Sequence, residues 1–486
     1  MRILTIVTAA LLVGLTGCGS DDGSDGLGYI QLYNASPNSP SILLVVGKDD
    51  DDNFDEEINS GVGYTKASSY LSYSTDTYDI ALSWQDEDDI DDLEIIYETQ
   101  LTVIDDAIQF VVVSEDITAP EILFFNIDLI DDENDDDDEL FNLRFLNMHS
   151  WPGGIDIYLS ESDETFEQAE LLGQYTYTEL SDNHKLDQDD YVFYITSAGS
   201  SEVLYQSEEV SYQSVSQSMM IIRQNSGPGT SPFSLDRVTD SYSVTEYADA
   251  NSEAQFRVYN GIVEHDLLLG YEGNFDLHLN GVDESAEVSS LQVGDFSTPI
   301  LTDFGDYSIS LTKPSNNDPI IENHLLTLSV NSDKTIFFYL LEEEVDEDGD
   351  GDFDEDGDGI VDEWEITVNS LVVDNSQNGN IYTHQINIIN LIDEYSQLDV
   401  YFVQNNETIE TAENDVTARY GQPRSITLNN NSFQVYIIAE DESSELILTT
   451  EELTLNEESE DLFLILEERA DSPTGYKMFF AKQKES

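Results

Sequence analysis

Hydrophobic and polar positions repeat four times along this chain in one short pattern. Each copy reads apolar, polar, apolar, apolar, Asn, which is typical of a β-strand that ends at a turn-forming Asn. The copies are Ile30–Asn34, Leu143–Asn147, Phe256–Asn260 and Ile386–Asn390. Their Asn residues are 113, 113 and 130 positions apart, about one sandwich domain each, with an acidic insert lengthening the last interval. The pattern therefore predicts four tandem units.

Three further strands recur inside each unit. The second strand alternates in-facing and out-facing residues, as a half-buried strand does; its copies are Ile42–Val46, Ile155–Leu159, Phe275–Leu279 and Leu398–Phe402. The third begins at an aromatic residue after a polar turn, in Tyr78–Leu82, Tyr191–Ile195, Tyr307–Leu311 and Phe433–Ile437. The last is apolar throughout, in Phe110–Val113, Met219–Ile222, Ile336–Tyr339 and Leu462–Ile465. We expect an all-β chain of four tandem antiparallel β-sandwich, immunoglobulin-like domains.

Composition suggests where these domains begin and end. The acidic run 131–139 and the short polar segments 248–252 and 374–380 have little to bury and read as linkers. The expected sandwich repeats are residues 29–130, 140–247, 253–373 and 381–486. We expect them to fold separately, as beads on a string.

The charge excludes one class of partner. The 486 residues include 16 Lys and Arg against 103 Asp and Glu, a net charge of −87, which repels any phosphate backbone and excludes nucleic acid as a direct ligand. The chain is nevertheless 39% hydrophobic and contains 26 Tyr and 21 Phe, so it can build folded cores under an acidic surface.

The N-terminus indicates a compartment. An apolar run from Ile3 to Leu15 follows Arg2, which is typical of a secretory signal peptide. It closes as Leu15-Thr16-Gly17-Cys18, which resembles the lipobox of bacterial lipoproteins. The resemblance implies that residues 1–17 are removed and that Cys18 carries lipid. Because Gly19 follows, it also implies delivery to the outer membrane, on its periplasmic or its surface side. Residues 18–28 then form a flexible tether. The alternative is a plain signal peptide with an incidental Cys.

The repeats also resemble a known family. Asn34-Ala35-Ser36-Pro37, the strand Ile155–Leu159 and the strands that begin at Tyr are similar to the tandem extracytoplasmic bacterial modules called domain of unknown function 4397. The resemblance covers nearly the whole mature chain. It implies the sandwich fold and no known activity.

One segment carries a metal-binding pattern. Between two strands of the third unit lies an acidic insert, 346–365, whose second half matches the twelve-residue EF-hand calcium loop. The expected ligands are Asp354, Asp356, Asp358, the Ile360 carbonyl, Asp362 through water, and Glu365 with both oxygens. Such hard oxygen ligands select calcium over transition metals. Strand-like flanks on both sides predict a loop grafted into a hairpin, not a helix-loop-helix sensor.

A second ion and a simpler reading both stay open. Asp346, Asp348 and Asp350 repeat the start of the loop, in the manner of thrombospondin type-3 repeats, but Gly357 stands where the closing Glu belongs. The simpler reading is a solvated acidic loop like 49–52, 86–92 or 131–139, none of which has the Gly and Glu positions.

Catalytic patterns are missing from the sequence. It contains no nucleophile elbow, Walker, Rossmann or zinc motif, and its six histidines are scattered and read as surface or turn residues. His149-Ser150-Trp151 together with Trp84 could form a sugar platform, although aromatic residues that pack a turn are the more ordinary interpretation.

We therefore expect a non-enzymatic cell-envelope lipoprotein with a structural calcium site. It would act as a modular binding, adhesion or spacer protein whose partner is an envelope protein or a polysaccharide. The alternative is an accessory lipoprotein that captures carbohydrate or helps to process polysaccharide.

Overall fold

The computed structural model describes residues 26–48, 54–85, 93–130, 140–214, 216–282, 285–345, 363–377, 379–441, 444–469 and 472–484. Its strands fall into four groups, which we call units 1 to 4. Unit 1 contains β1 Leu27–Asn34, β2 Leu43–Gly47, β3 Glu57–Ile58, β4 Leu71–Ser74, β5 Thr77–Gln85, β6 Leu93–Thr102, β7 Ala107–Ser114 and β8 Glu121–Asp128. Unit 2 contains β9 Leu140–Asn147, β10 Ile155–Glu161, β11 Glu170–Tyr175, β12 His184–Asp187, β13 Asp190–Ser197, β14 Val203–Gln206, β15 Val210–Ser211, β16 Gln217–Gln224, β17 Phe233–Val238 and β18 Val244–Tyr247.

The second half of the chain repeats this set. Unit 3 contains β19 Ala254–Asn260, β20 Asn274–Leu279, β21 Val288–Gln292, β22 Ile300–Thr302, β23 Gly305–Thr312, β24 Pro319–Leu328, β25 Asp333–Glu344 and β26 Trp364–Asp374. Unit 4 contains β27 Thr383–Asn390, β28 Gln397–Gln404, a single 3-10 turn Ile409–Thr411, β29 Asn414–Arg419, β30 Arg424–Asn429, β31 Asn431–Asp441, β32 Ser444–Leu455, β33 Leu462–Glu468 and β34 Tyr476–Lys482.

Every unit has the same topology. Counted within a unit, one sheet has the strand order 4-1-7-8 and the other 3-2-5-6. Unit 2 adds β18 to the first sheet and β15 to the second, so β16 and β17 there take the places of the seventh and eighth strands. The core of each unit lies between its two sheets. The all-β sandwich expectation is confirmed. One detail differs: the first strand pairs in parallel with the seventh in every unit, while the other ladders are antiparallel.

The repeated Asn has the same structural role in all four units. Each of these side chains is fully buried, and its Oδ1 accepts a 3.0 Å hydrogen bond from the amide two residues later. Its Nδ2 donates to a carbonyl about thirty residues on, namely that of Val62, Tyr175, Leu291 or Ala418. The Asn thus holds the turn after the first strand to a distant loop, since a buried amide must satisfy its hydrogen bonds.

The aromatic residue that begins the third repeated strand closes a corner in three units. The Tyr78 hydroxyl donates to the Ser74 carbonyl at 3.1 Å, and Tyr191 and Tyr307 make the equivalent bond to the carbonyl four residues upstream. This contact resembles the tyrosine corner of immunoglobulin-like sandwiches. Unit 4 has Phe433 at this place, which carries no hydroxyl.

The units pack in pairs, which the beads-on-a-string expectation did not include. Outside the four sandwich cores, one apolar cluster joins unit 1 to unit 2, and another joins unit 3 to unit 4. Matching polar contacts accompany them: Gln31 Nε2 donates to the Thr239 carbonyl at 2.6 Å, and Arg257 Nη2 donates to the Lys482 carbonyl. The pairs also touch, because the side chains of Asn225 in unit 2 and Asn331 in unit 3 are hydrogen bonded at 2.8 Å.

Candidate functional site

Units 1 and 2 meet around a buried hydrogen-bonded triad. The Tyr33 hydroxyl, which leaves β1 on the face turned away from the unit 1 core, donates to Asp236 Oδ2 at 2.6 Å. Arg223 Nε donates to the same oxygen at 2.8 Å, and Arg223 Nη2 lies 2.7 Å from Glu246 Oε1. Burial raises the pKa of Tyr33 and of the Asp236 carboxyl, although the charge of Arg223 opposes the rise at Asp236. Removing one partner would leave buried polar groups unsatisfied.

Units 3 and 4 repeat this arrangement with different residues. The Tyr259 hydroxyl donates to Glu467 Oε2 at 2.5 Å, and Arg469 Nε donates to Glu467 Oε1 at 2.7 Å. Tyr33 and Tyr259 both directly precede the repeated Asn, so they occupy equivalent positions. Each pair of units is therefore held by a buried Tyr of its first unit bonded to a carboxylate of its second.

A second cross-unit contact is also repeated. The Tyr177 hydroxyl in unit 2 donates to Glu115 Oε1 in unit 1 at 2.6 Å. In the other pair, the Tyr420 hydroxyl donates to the Leu340 carbonyl. The strand registers place Glu115 and Leu340 at equivalent positions, two residues after the residue paired with the repeated Asn. The two pairs are thus built alike.

A cleft of about 540 Å³ opens where units 1 and 2 meet the segment between units 3 and 4 and the residues that follow β34. The loops that follow the first strands of units 1 and 2 form two of its sides. The ends of β7 and β16 contribute Ser114 and Arg223, and Tyr64 and Tyr177 add rings. Residues 377, 379 and 484 close the remaining side. The volume is within the range of small-molecule sites in proteins.

The flanks of the predicted calcium loop form a long hairpin, as expected. Strands β25 and β26 are paired from Lys334 and Asp374 to Glu344 and Trp364, and the Val345 amide donates to the Glu363 carbonyl at 3.0 Å. The predicted closing ligand, Glu365, lies exposed on β26 directly opposite Glu343. Like charges facing each other weaken a ladder, so a cation at this tip would relieve repulsion.

Most of the predicted site residues lie outside the described residues. They are Cys18, Asp346, Asp348, Asp350, Asp354, Asp356, Asp358, Ile360 and Asp362. The signal peptide, most of the tether and the acidic linker 131–139 also lie outside them. Among the residues that are described, no group of three or more His, Cys, Asp and Glu side chains is arranged to hold a metal ion.

A cluster of acids lies where unit 4 contacts unit 3. Burial, the adjacent carboxyl of Asp393 and the charges of Glu394 and Glu342 together raise the pKa of Glu468 to about 7. Glu342 also accepts a 2.5 Å contact from His265 Nε2. These ionisable groups of both units lie at the contact between them.

The expectation for the histidines was partly wrong. His184, His278, His324 and His384 lie within strands, and His278 and His384 are buried. Polar neighbours explain this: His278 Nε2 lies 3.1 Å from the Thr312 hydroxyl, and His384 Nε2 lies 2.8 Å from the Asn430 side chain. Burial with a hydrogen-bond partner is the ordinary structural role of such residues.

Trp84 and Trp151 form no common platform. Trp84 packs against the core of unit 1, and Trp151 packs against the core of unit 2 and donates to the Ser197 hydroxyl at 3.0 Å. The turn-packing interpretation is therefore the correct one for Trp151. Its neighbours His149 and Ser150 do line the cleft.

Comparison with known proteins identifies one module. The family described as "Domain of unknown function (DUF4397)" matches residues 28–158, which span unit 1 and the first strands of unit 2. No curated protein matches the chain. Within the described part of the chain, no helix combines the length and apolar character needed to cross a membrane.

Two solved structures share a distant likeness. The Bacillus anthracis TIE protein is 7% identical, with a TM-score of 0.14, over 92% of this chain and 76% of that one. A leucine-rich repeat protein from Bacteroides thetaiotaomicron is 12% identical, with a TM-score of 0.13, over 40% of this chain and 25% of that one. At such TM-scores neither likeness carries an argument about this chain.

Proposed function

We propose that this chain is a non-enzymatic binding protein of the bacterial cell envelope, in which paired β-sandwich units act as one stiff body. The observation that carries the proposal is the pair of buried cross-unit contacts, Tyr33 with Asp236 and Tyr259 with Glu467. Flexible spacers have few contacts between modules, whereas these units share apolar clusters. A stiff array holds surfaces from different units in fixed positions, as a binding site between units requires.

The proposal includes four copies of one module. The match to DUF4397 covers unit 1, and the other units share its strand order and its buried Asn. We assign the copies to residues 29–130, 140–247, 253–373 and 381–486, as the sequence suggests. The units then pair because the sheet that contains the first strand is apolar on both of its faces. One face packs in the core of its own unit, and the other packs against the neighbouring unit.

The proposal also includes attachment and calcium. Lipid on Cys18 would hold the protein at the outer membrane, and calcium in the loop 354–365 would stiffen the tip of the β25–β26 hairpin. Support for the ion comes from the loop pattern and from the facing carboxylates of Glu343 and Glu365. The partner would be an envelope protein or a polysaccharide, not nucleic acid, because of the charge of −87.

Carbohydrate capture is the second candidate function. The observation that favours it is the cleft between units 1 and 2, which brings aromatic rings, amides and carboxylates together. A spacer or an adhesin that binds through an outer surface does not require such a cleft.

Fractionation of cells tests the envelope assignment. The wild-type chain should remain with the membranes, and Cys18→Ser should release it as a folded soluble protein, because lipid on that Cys is the proposed anchor. Cys18→Ser protein that stays in the membrane fraction would contradict the anchor. Turnover of a substrate by the purified chain would contradict the non-enzymatic assignment.

A further inference from the structure

The two pairs of units differ at one position that lies beside the cleft. Ser114 at the end of β7 and Tyr339 in β25 are equivalent, since each directly follows the residue that pairs with the repeated Asn. In units 3 and 4, the Tyr339 ring packs edge-on against Tyr420, with 5.4 Å between ring centroids. In units 1 and 2, Tyr177 takes the place of Tyr420, and the small Ser114 lines the open cleft beside it. At this position the first pair therefore has a small side chain beside the cleft where the second pair has a Tyr ring.

A neighbouring backbone position differs in step with this exchange. Thr178 and Gly421 each lie 31 residues after the repeated Asn, and both have positive φ, 64° and 61°. A Cβ at Gly421 would lie against the Tyr339 hydroxyl, so only glycine fits there. In the first pair, Ser114 stands in place of Tyr339 and has no ring. Thr65 occupies the same turn position in unit 1, with φ 59°, so a Thr here belongs to the turn and is not peculiar to the cleft.

The charges in the cleft favour a neutral ligand. Arg223 is buried and already paired with Asp236 and Glu246, so the charges left among the lining residues are Glu115 and Asp116 against Lys484, and the chain as a whole carries a charge of −87. An anionic polymer would be repelled on approach, and a cation would be attracted to the acidic surface everywhere, without preference for this place. A neutral molecule is neither repelled by the acidic surface nor attracted to it, so hydrogen bonds and ring contacts must hold it in the cleft.

The polar groups suit hydroxyls. A sugar hydroxyl both donates and accepts, so its site must offer acceptors and donors together. The Glu115 and Asp116 carboxylates accept, the Lys484 ammonium donates, and the amides that line the cleft do both. Tyr64 and Tyr177 add aromatic rings to the lining, and aromatic rings are groups that pack on a pyranose ring.

The strands at the cleft do not favour an extended peptide. β7 is paired on both sides, with β1 and β8, and β16 is paired with β9 and β17. A peptide that binds by strand addition needs an unpaired edge, and neither of these strands offers one.

From these observations we propose that the cleft binds a neutral oligosaccharide, and that Ser114 is the residue that keeps it open. The inference rests on the proposed binding function and names the ligand class for it. It places the ligand across the junction of units 1 and 2, so one saccharide would contact both units at once.

The test uses the full chain purified in detergent, with calcium present. Isothermal titration calorimetry is carried out with neutral tetrasaccharides of glucose, mannose, xylose and N-acetylglucosamine. Tetragalacturonate represents anionic saccharides in the same experiment, and a short neutral peptide represents peptide ligands. At least one neutral tetrasaccharide should bind with a Kd of about 1 mM or tighter. The double variant Ser114→Tyr/Thr178→Gly copies the residues of the other pair, and it should lower that affinity at least about tenfold.

Two further variants separate a filled cleft from a damaged fold. Thr178→Gly alone keeps the cleft empty, so it should bind like the wild type. Gly379→Trp fills the cleft from the opposite side, where a Cβ meets open space and φ is not positive, and it should abolish binding with an unchanged melting temperature. Gly379→Trp therefore tests the cleft even if the double variant Ser114→Tyr/Thr178→Gly does not fold.

Three results would overturn the inference. These are no binding by any neutral tetrasaccharide, equal binding by the wild type and Gly379→Trp, and tighter binding of tetragalacturonate or of the peptide. Membrane release by Cys18→Ser is measured separately, so failure to bind sugar overturns this inference and leaves the envelope assignment intact.

Discussion

The Tyr33 hydroxyl in unit 1 donates a 2.6 Å hydrogen bond to Asp236 in unit 2, across 203 residues of sequence. Both side chains are completely buried. Tyr259 makes the equivalent bond to Glu467 in the second pair. Neither contact can form within a single unit, so each is specific to the paired state.

Tyr33→Phe tests the first of these bonds. The change keeps the ring and removes the donor, which leaves Asp236 with one hydrogen bond fewer in a dry interface. We expect a loss of about 1–3 kcal/mol in the stability of units 1 and 2, measured by urea unfolding with hydrogen exchange resolved by unit. Tyr259→Phe is the matched control, because its effect should fall on units 3 and 4 instead. Equal effects on all four units would contradict separate pairs.

Asn147→Ala tests the repeated turn. The Ala variant loses the 3.0 Å bond from the His149 amide and leaves the Tyr175 carbonyl without its partner. We expect a destabilisation of about 1–3 kcal/mol, the range for a buried polar group left unsatisfied. Asn406→Ala removes an exposed Asn in a turn of unit 4 and should change the stability by less than about 0.5 kcal/mol. A similar small effect at Asn147 would show that the motif is not structural.

Part of this structure follows from the sequence, and the reason lies in strand alternation. Asn34 and the strands near it could be predicted because they depend on neighbours within one unit. The pairing also left a signal: in Leu32-Tyr33 the apolar residues are consecutive, so one faces the unit core and the next faces outward. Apolar residues on both faces indicate a strand that is covered on both faces.

The cleft and the buried triads could not be predicted in the same way. Their residues come from segments separated by more than two hundred positions, such as Ser114 and Gly379, and no local pattern links them. The exchange of Tyr339 for Ser114 becomes meaningful only once the register places both at one position. The calcium loop, in contrast, could be proposed from the sequence alone, because its pattern is contained in twelve consecutive residues.

Calcium should stabilise unit 3. Binding to the folded loop alone adds about 2.7 kcal/mol when calcium is present at a hundredfold excess over Kd. The melting temperature of unit 3 should rise, and the fluorescence of Trp364, which is 43% exposed at the base of the loop, should report the ion. Glu365→Gln should reduce both the rise in melting temperature and the fluorescence change. Glu452→Gln, at an exposed position of β32 in unit 4, should leave both unchanged. If neither effect appears with the wild type, the insert is only a charged loop.

The pH dependence of unit 4 should follow Glu468. Its pKa is raised to about 7 by burial and by Asp393, so the folded chain holds a proton that the unfolded chain releases above about pH 4.3. The stability from this group is full below about pH 4.3 and falls as the pH rises to 7. The side chain in Glu468→Gln is neutral at every pH, so the free energy of unfolding should depend less on pH in this variant. Urea unfolding at successive pH values measures this dependence. A slope equal to that of the wild type would show that Glu468 titrates normally.

Native-state hydrogen exchange of the full chain tests the paired architecture most directly. Phe110 belongs to the cluster shared by units 1 and 2 and not to the core of unit 1, so Phe110→Asp should disrupt the pairing at a cost of about 3–5 kcal/mol. Strand β16 of unit 2 should then exchange faster, although the mutation lies in unit 1, while β33 of unit 4 should be unchanged. Phe124→Asp, at a position 38% exposed in the same unit, should leave β16 protected. If β16 keeps its full protection in Phe110→Asp, the units are independent beads and the paired body proposed here does not exist.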